Sequence, residues 1–191
     1  HIERVVSHIL DAYPNKKDLK KPSVYTGLCG VAYMFLELHF YNCTVKDDHH
    51  KIHTPKRSPL EHARWFLNKA KKEVSAIDDI PSFICGKPGY CALEAVLAHL
   101  DGNVRDTQHY LTSLVQLSGL CFESPRGVVY NEHLYGRAGY LTSLLYVKKH
   151  IPSAGDTIPE DLANNVMTAI IEDGQRQARM FHESLTSPSS P

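Results

Sequence analysis

The chain has 191 residues, 42% hydrophobic and 22% charged, with 21 Lys and Arg balanced by 21 Asp and Glu. That is ordinary globular composition with material for one substantial core, and the zero net charge offers no field for nucleic acid or an anionic membrane surface. Five cysteines without a CxxC pair read as reduced thiols, and the longest apolar run, Leu28 to Leu36, falls far short of the about 20 residues that span a bilayer. A soluble, cytoplasmic protein is expected, and a first residue of His1 predicts a chain processed or cut from something longer.

HIERVVSHILDAY (1–13) sets Ile2, Val5, Val6, Ile9 and Leu10 at helical spacing, and Pro14-Asn15 ends the pattern. After a basic connector, residues 24–42 predict a second helix. A polar stretch from Cys43 to Arg57 precedes a third at 58–77, with Ser58 as N-cap, Pro59 at the first position and Glu61 closing a capping box. Residues 83–100 and 103–120 follow, the latter capped by Asn103 and stopped near Gly119. NEHLYGRAGYLTSLLYV (131–147) and a helix at 157–179, opened by Thr157 with Glu160 three residues on, complete the set. No stretch alternates as a strand would, so the chain is expected to be all-α. A domain over 1–183 and a disordered tail over 184–191 are expected, the tail's Pro188-x-x-Pro191 reading as a frayed terminus or a polyproline ligand.

Three segments share one frame. Gly27-x-x-Gly30, Gly86-x-x-Gly89 and Gly136-x-x-Gly139 each precede an apolar helix, and the first glycines lie 59 and 50 residues apart with one more polar helix in each interval. The unit is a helical hairpin repeated as in a solenoid or ring, with an inner helix buried all round and an outer one with a wet face. Glycine in a helix costs about 1 kcal/mol against alanine, so its recurrence at helix starts needs a cause. Two are open: close packing of backbone, or free N–H groups offered to a carboxylate or thiolate.

VYTGLCGVA, ICGKPGYCALEAVLAHL and NEHLYGRAGYLTSLLYVKKH resemble the eukaryotic LanC-like proteins, relatives of the bacterial lanthionine cyclases, over about residues 2 to 180. The resemblance implies an α/α toroid of about seven hairpins. It also implies zinc-activated addition of a thiol, here that of glutathione, to dehydroalanine or dehydrobutyrine in proteins. The family's Cys-His-Gly zinc motif is absent from this chain, which holds about three and a half hairpins. No zinc ligand is therefore assigned, and zinc is expected only in a full-length family protein. Alternatives are a non-catalytic helical-repeat module binding glutathione, a peptide or a partner protein, and a glycosidase-type barrel, for which Glu132 lacks a second acid. An open ring would expose an apolar edge, so marginal stability or self-association is expected, with peripheral membrane attachment left open.

Glu132 lies four residues before Gly136, where the bacterial cyclases carry an aspartate implicated in proton handling. It reads as a catalytic base or as a cap for the next helix. Arg137 and Lys87, inside glycine motifs, read as clamps for a substrate carboxylate or as surface ion pairs, and the six motif glycines as mouth backbone. Cys85 precedes Gly86, the place of a zinc-ligand histidine in the family's motif, and reads otherwise as a core thiol, as do Cys29 and Cys91. His49, His50 and His53 form a loop cluster open to adventitious metal or simply solvated. Trp65 reads as an outer-helix anchor or as a stacking platform.

Overall fold

A computed structural model describes residues 1–12, 21–123 and 128–186. Among the described residues it holds helices α1 (Ile2–Ala12), α2 (Leu28–Thr44), α3 (Pro59–Ala70), α4 (Lys87–Leu100), α5 (Val104–Gln116), α6 (Arg137–His150) and α7 (Leu162–Thr186), with one isolated parallel bridge between Asp78 and Gly86 in place of a sheet. No helix among them is long and apolar enough to cross a membrane.

Hairpins form from α2 with α3, α4 with α5, and α6 with α7, while α4 touches both α2 and α6. The glycine-led helices therefore stand in one row and their partners outside it, the arrangement of an α/α toroid. Burial follows that order. Every residue of α4 from Pro88 to Ala98 is buried, whereas α2 and α6, with one flank open, keep exposed positions such as Tyr41 and Leu145. Phe35 of α2 stacks on His62 and Phe66 of α3, at ring separations of 4.6 and 5.8 Å. Tyr140 of α6 donates to Leu114 O of α5 at 2.9 Å, so a buried hydroxyl joins two hairpins without an unpaired polar atom.

Local signals place the ends. Ser58 Oγ accepts from Glu61 N while the Glu61 carboxylate accepts from Ser58 N at 2.8 Å, closing the expected box. Gly102, at φ 69°, turns α4 into α5. Its N–H donates to His99 O and that of Asn103 to Ala98 O, which is why a left-handed residue is needed there. The helices expected at 58–77 and 103–120 each finish as a tighter 3₁₀ turn, over Lys71–Ala76 and Leu117–Cys121.

Two boundaries differ from expectation. Thr157 does not start the last helix, because its hydroxyl is engaged with Gln108 Oε1 at 3.0 Å and Pro159 sits in a turn ahead of Leu162. At the other end α7 runs to Thr186, into the stretch expected as a tail, while Pro188 and Pro191 lie outside the described residues. From Gly174 to Leu185 every side chain of α7 is exposed, including Met180 and Phe181.

Candidate functional site at the glycine-led helix starts

Gly27, Gly86 and Gly136 are the N-caps of α2, α4 and α6, in extended backbone and without a side-chain cap. A β carbon on them would lie 2.0 Å from Lys21 O, 2.1 Å from Ile80 O and 2.3 Å from Tyr130 O, in each case the carbonyl six residues earlier. The second glycines repeat the offset. Gly30 faces Val24 O at 2.1 Å, Gly89 Phe83 O at 1.8 Å and Gly139 His133 O at 2.4 Å. Each approach run thus folds back over the first turn of the helix it feeds, which is why helices expected from residues 24 and 83 begin at Leu28 and Lys87. At all six motif glycines the close backbone leaves no room for a β carbon.

The same folding back uses helix-start donors expected to stay open. Leu28 N donates to Lys21 O at 2.7 Å and Arg137 N to Tyr130 O at 2.9 Å. The repeats are also tied to one another, by Tyr25 N to Ile84 O at 2.9 Å between loops and by Phe83 N to Gly139 O, in the first turn of α6, at 3.1 Å.

Four residues before each first glycine stands a turn-capping side chain. Ser82 Oγ accepts from Ile84 N and Cys85 N, both at 3.1 Å, and donates to Leu134 O at 2.6 Å across to the third loop. Ser23 Oγ accepts weakly from Thr26 N at 3.5 Å. Glu132 fills the third copy, its two carboxylate oxygens accepting from Leu134 N and Tyr135 N at 2.6 Å. Ser82, wholly buried, went unnoticed in the sequence, although its register with Ser23 and Glu132 is legible once the glycines are aligned.

The two expected clamps are engaged within the chain. Lys87 Nζ lies 2.7 Å from Asp79 Oδ1. Arg137 is buried rather than on the surface, donating from Nε to Cys121 O at 2.7 Å and from Nη1 to Asn131 Oδ1 at 2.6 Å, with Asp173 Oδ2 at 3.5 Å. Asp173 also accepts from Asn131 Nδ2 at 2.8 Å, Gln177 at 3.0 Å and Arg176. Hydrogen bonding from Arg176 first, then from Asn131 with the two arginine charges, holds its carboxyl below the usual range. This network pins the start of α6 to α7 and to the turn after α5.

All five cysteines are free. Burial pushes the Cys91 and Cys121 thiols up to about 12 and Cys29 higher still, so the core-thiol reading fits them. Cys85 is half-buried, and burial, then the charges of Asp78 and Glu132, raise its thiol as well. His50 Nδ1 lies 3.4 Å from Asp47, and the His53 backbone N–H donates to Glu3. Among the described residues no three His, Cys, Asp or Glu side chains converge to hold a metal, so these residues do not fit a zinc site. Trp65 packs edge-on to Phe66 with Arg57 and Lys69 over its ring at 5.8 and 5.5 Å.

Residues 18–189 match the family model described as lanthionine synthetase C-like protein. Glutathione S-transferase LANCL1 of Danio rerio is 29% identical over 151 residues, covering 79% of this chain and 33% of that protein. LanC-like protein GCL1 of Arabidopsis thaliana is 26% identical over 160 residues, covering 81% and 34%. The chain thus spans about a third of the length of these curated relatives. With its glycine-led helices in one row and the family match along nearly all its length, the chain belongs to the lanthionine synthetase C-like family.

Proposed function

We propose that this chain forms one wall of a LanC-like toroid whose complete form adds glutathione, as its thiolate, to dehydroalanine or dehydrobutyrine residues in proteins. The observation that supports it is the threefold repeat of one helix-start geometry, in a family where a relative is named a glutathione S-transferase. The chain's own part is to hold the mouth backbone rigid, through Ser82 and the bonds between neighbouring repeats, and to present the Glu132 carboxylate in the third loop. Zinc would supply thiol activation in the complete form, from ligands outside the residues described.

A second reading, a non-catalytic repeat module binding glutathione, a peptide or a partner protein, is favoured by a specific fact: Glu132, Lys87 and Arg137 are all engaged inside the chain. Mass spectrometry of a dehydroalanine peptide incubated with glutathione separates the two, using this chain and the product of the complete gene. A thioether adduct with the complete product, lost in Glu132→Ser, upholds the first reading, because serine restores the cap used at Ser23 and Ser82 while removing the carboxylate. Full activity in Glu132→Ser leaves that residue as a cap only. No adduct from either protein leaves the binding module.

A further inference from the structure

A cavity of about 310 Å³ lies between α1 and α3, away from the row of glycine-led helix starts. It falls at the small end of ligand-sized cavities. Leu10 of α1, Pro55 of the connecting loop, and Trp65 and Phe66 of α3 give it apolar walls.

Its polar groups are sorted by side. The loop contributes Lys56 and Arg57, and α1 contributes Ser7 and Asp11. The loop's geometry is unusual. Lys56 has φ 68°, bridged by a hydrogen bond from Arg57 N to Pro55 O at 2.8 Å, and Thr54 Oγ1 donates to Arg57 O at 2.6 Å. A three-residue turn with a positive central φ is rare and strained, and in a non-glycine residue such strain collects at ligand clamps. Here it presents two successive cations to one cavity.

His62 also lines the cavity, only 3% exposed, and its Nε2 against Pro55 O at 2.9 Å ties the strained loop to α3. None of these residues belongs to the glycine motifs or to the Arg137 network.

We propose that this cavity binds a small zwitterion with an apolar body, of the size and chemistry of a free apolar α-amino acid. Its carboxylate meets Lys56 and Arg57, its ammonium meets Asp11, and its side chain lies among Leu10, Trp65 and Phe66. A simple anion would leave Asp11 opposed and a simple amine would leave the two cations opposed, so the pairing of signs selects a molecule carrying both.

Trp65 is the chain's single tryptophan, so its fluorescence reports on the cavity directly. L-phenylalanine and L-leucine are titrated into the 191-residue chain, with 3-phenylpropionate and phenethylamine as probes that each lack one charge. The expected result is a saturable change with either amino acid. Binding weakens about tenfold or more in Arg57→Gln and in Asp11→Asn, and for each single-charge probe. Arg137→Gln leaves the titration unchanged if it folds, and Lys87→Gln serves as the same control on a more exposed residue. No saturable change with the amino acids overturns the proposal, as does phenylpropionate binding equal to that of phenylalanine, or indifference to both Arg57→Gln and Asp11→Asn. Glutathione and dehydroalanine take no part, so this test and that of the thioether chemistry fail separately.

Discussion

Helix α4 and helix α7 belong to the same repeat and are treated oppositely by it. Along α4, eleven consecutive residues are buried between α2 and α6, and a β carbon on Gly89 would sit 1.8 Å from Phe83 O. Along α7 the last buried side chain among the described ones is Asp173, and Gly174 beside it has nothing within 4 Å of a built β carbon. Both are helical glycines at similar cost to an isolated helix. The difference lies in neighbours: an element of a stacked row is specified by what flanks it on both sides, so the central hairpin is over-determined and the terminal one is not.

The widest gap is expected from Gly89→Ala. The methyl group would meet a backbone carbonyl, which retreats only if the loop before α4 moves, and that loop also carries Ser82 and the bonds to its two neighbours. A loss of about 4 kcal/mol is expected in urea unfolding, at the upper end for one substitution. A loss under about 1 kcal/mol would show that the loop yields and that the glycines have another cause.

Next come the buried acids, one on each helix, with opposite signs. Glu94 of α4 is buried with Oε1 unpartnered. Burial above all raises its carboxyl over the usual 4.5, so the folded chain keeps a proton that the unfolded chain releases, and stability falls as pH rises from about 4.5 through the folded value. Glu94→Gln is expected to remove that slope and to gain about 1 kcal/mol at neutral pH. Asp173 of α7 is held below 3.8 by Arg176 first, then Asn131 and Arg137. Its contribution is complete above the unfolded value and lost as pH falls through the lowered folded one, so Asp173→Asn weakens the chain at neutral pH and flattens its acid limb. Unfolding midpoints from acid to neutral pH in the two variants check both signs. Slopes of the same direction would mean that one of the two environments is misassigned.

How much of this was legible in the sequence follows from the same contrast. The capping box at Ser58, the Asn103 cap and the Gly-x-x-Gly register are written in a few adjacent residues, and each appears where expected. Propensity extends 83–100 and 24–42 too early, since only tertiary packing tells that the residues before Gly86 and Gly27 fold back over the helix rather than into it. Of the partners of Arg137, the acidic one was invisible because Asp173 lies 36 residues away on a helix with no motif. Glu132 was legible as an acid at a mouth and as a cap, but that Ser23 and Ser82 fill the same place in their repeats needed the glycines aligned. His62 was hidden for a plainer reason: a histidine on the buried face of a helix has no signature for the loop carbonyl it meets.

The smallest effect tests the contrast most cleanly. Gly174→Ala makes the same chemical change as Gly89→Ala, but at an exposed helical position where the added methyl meets nothing. Alanine there restricts the unfolded chain without crowding the folded one, so the variant is expected to be more stable by about 0.5 kcal/mol, with slightly higher helicity by circular dichroism. The context of α7 can only reduce that gain, because the side chains from residue 174 to 185 are exposed and little packing would transmit it. A loss of stability would mean that this stretch of α7 is covered in solution. Met180, Phe181 and Leu185, exposed on the same stretch, would then have a partner, and sedimentation of the 191-residue chain against Phe181→Glu would reveal whether that partner is a second copy.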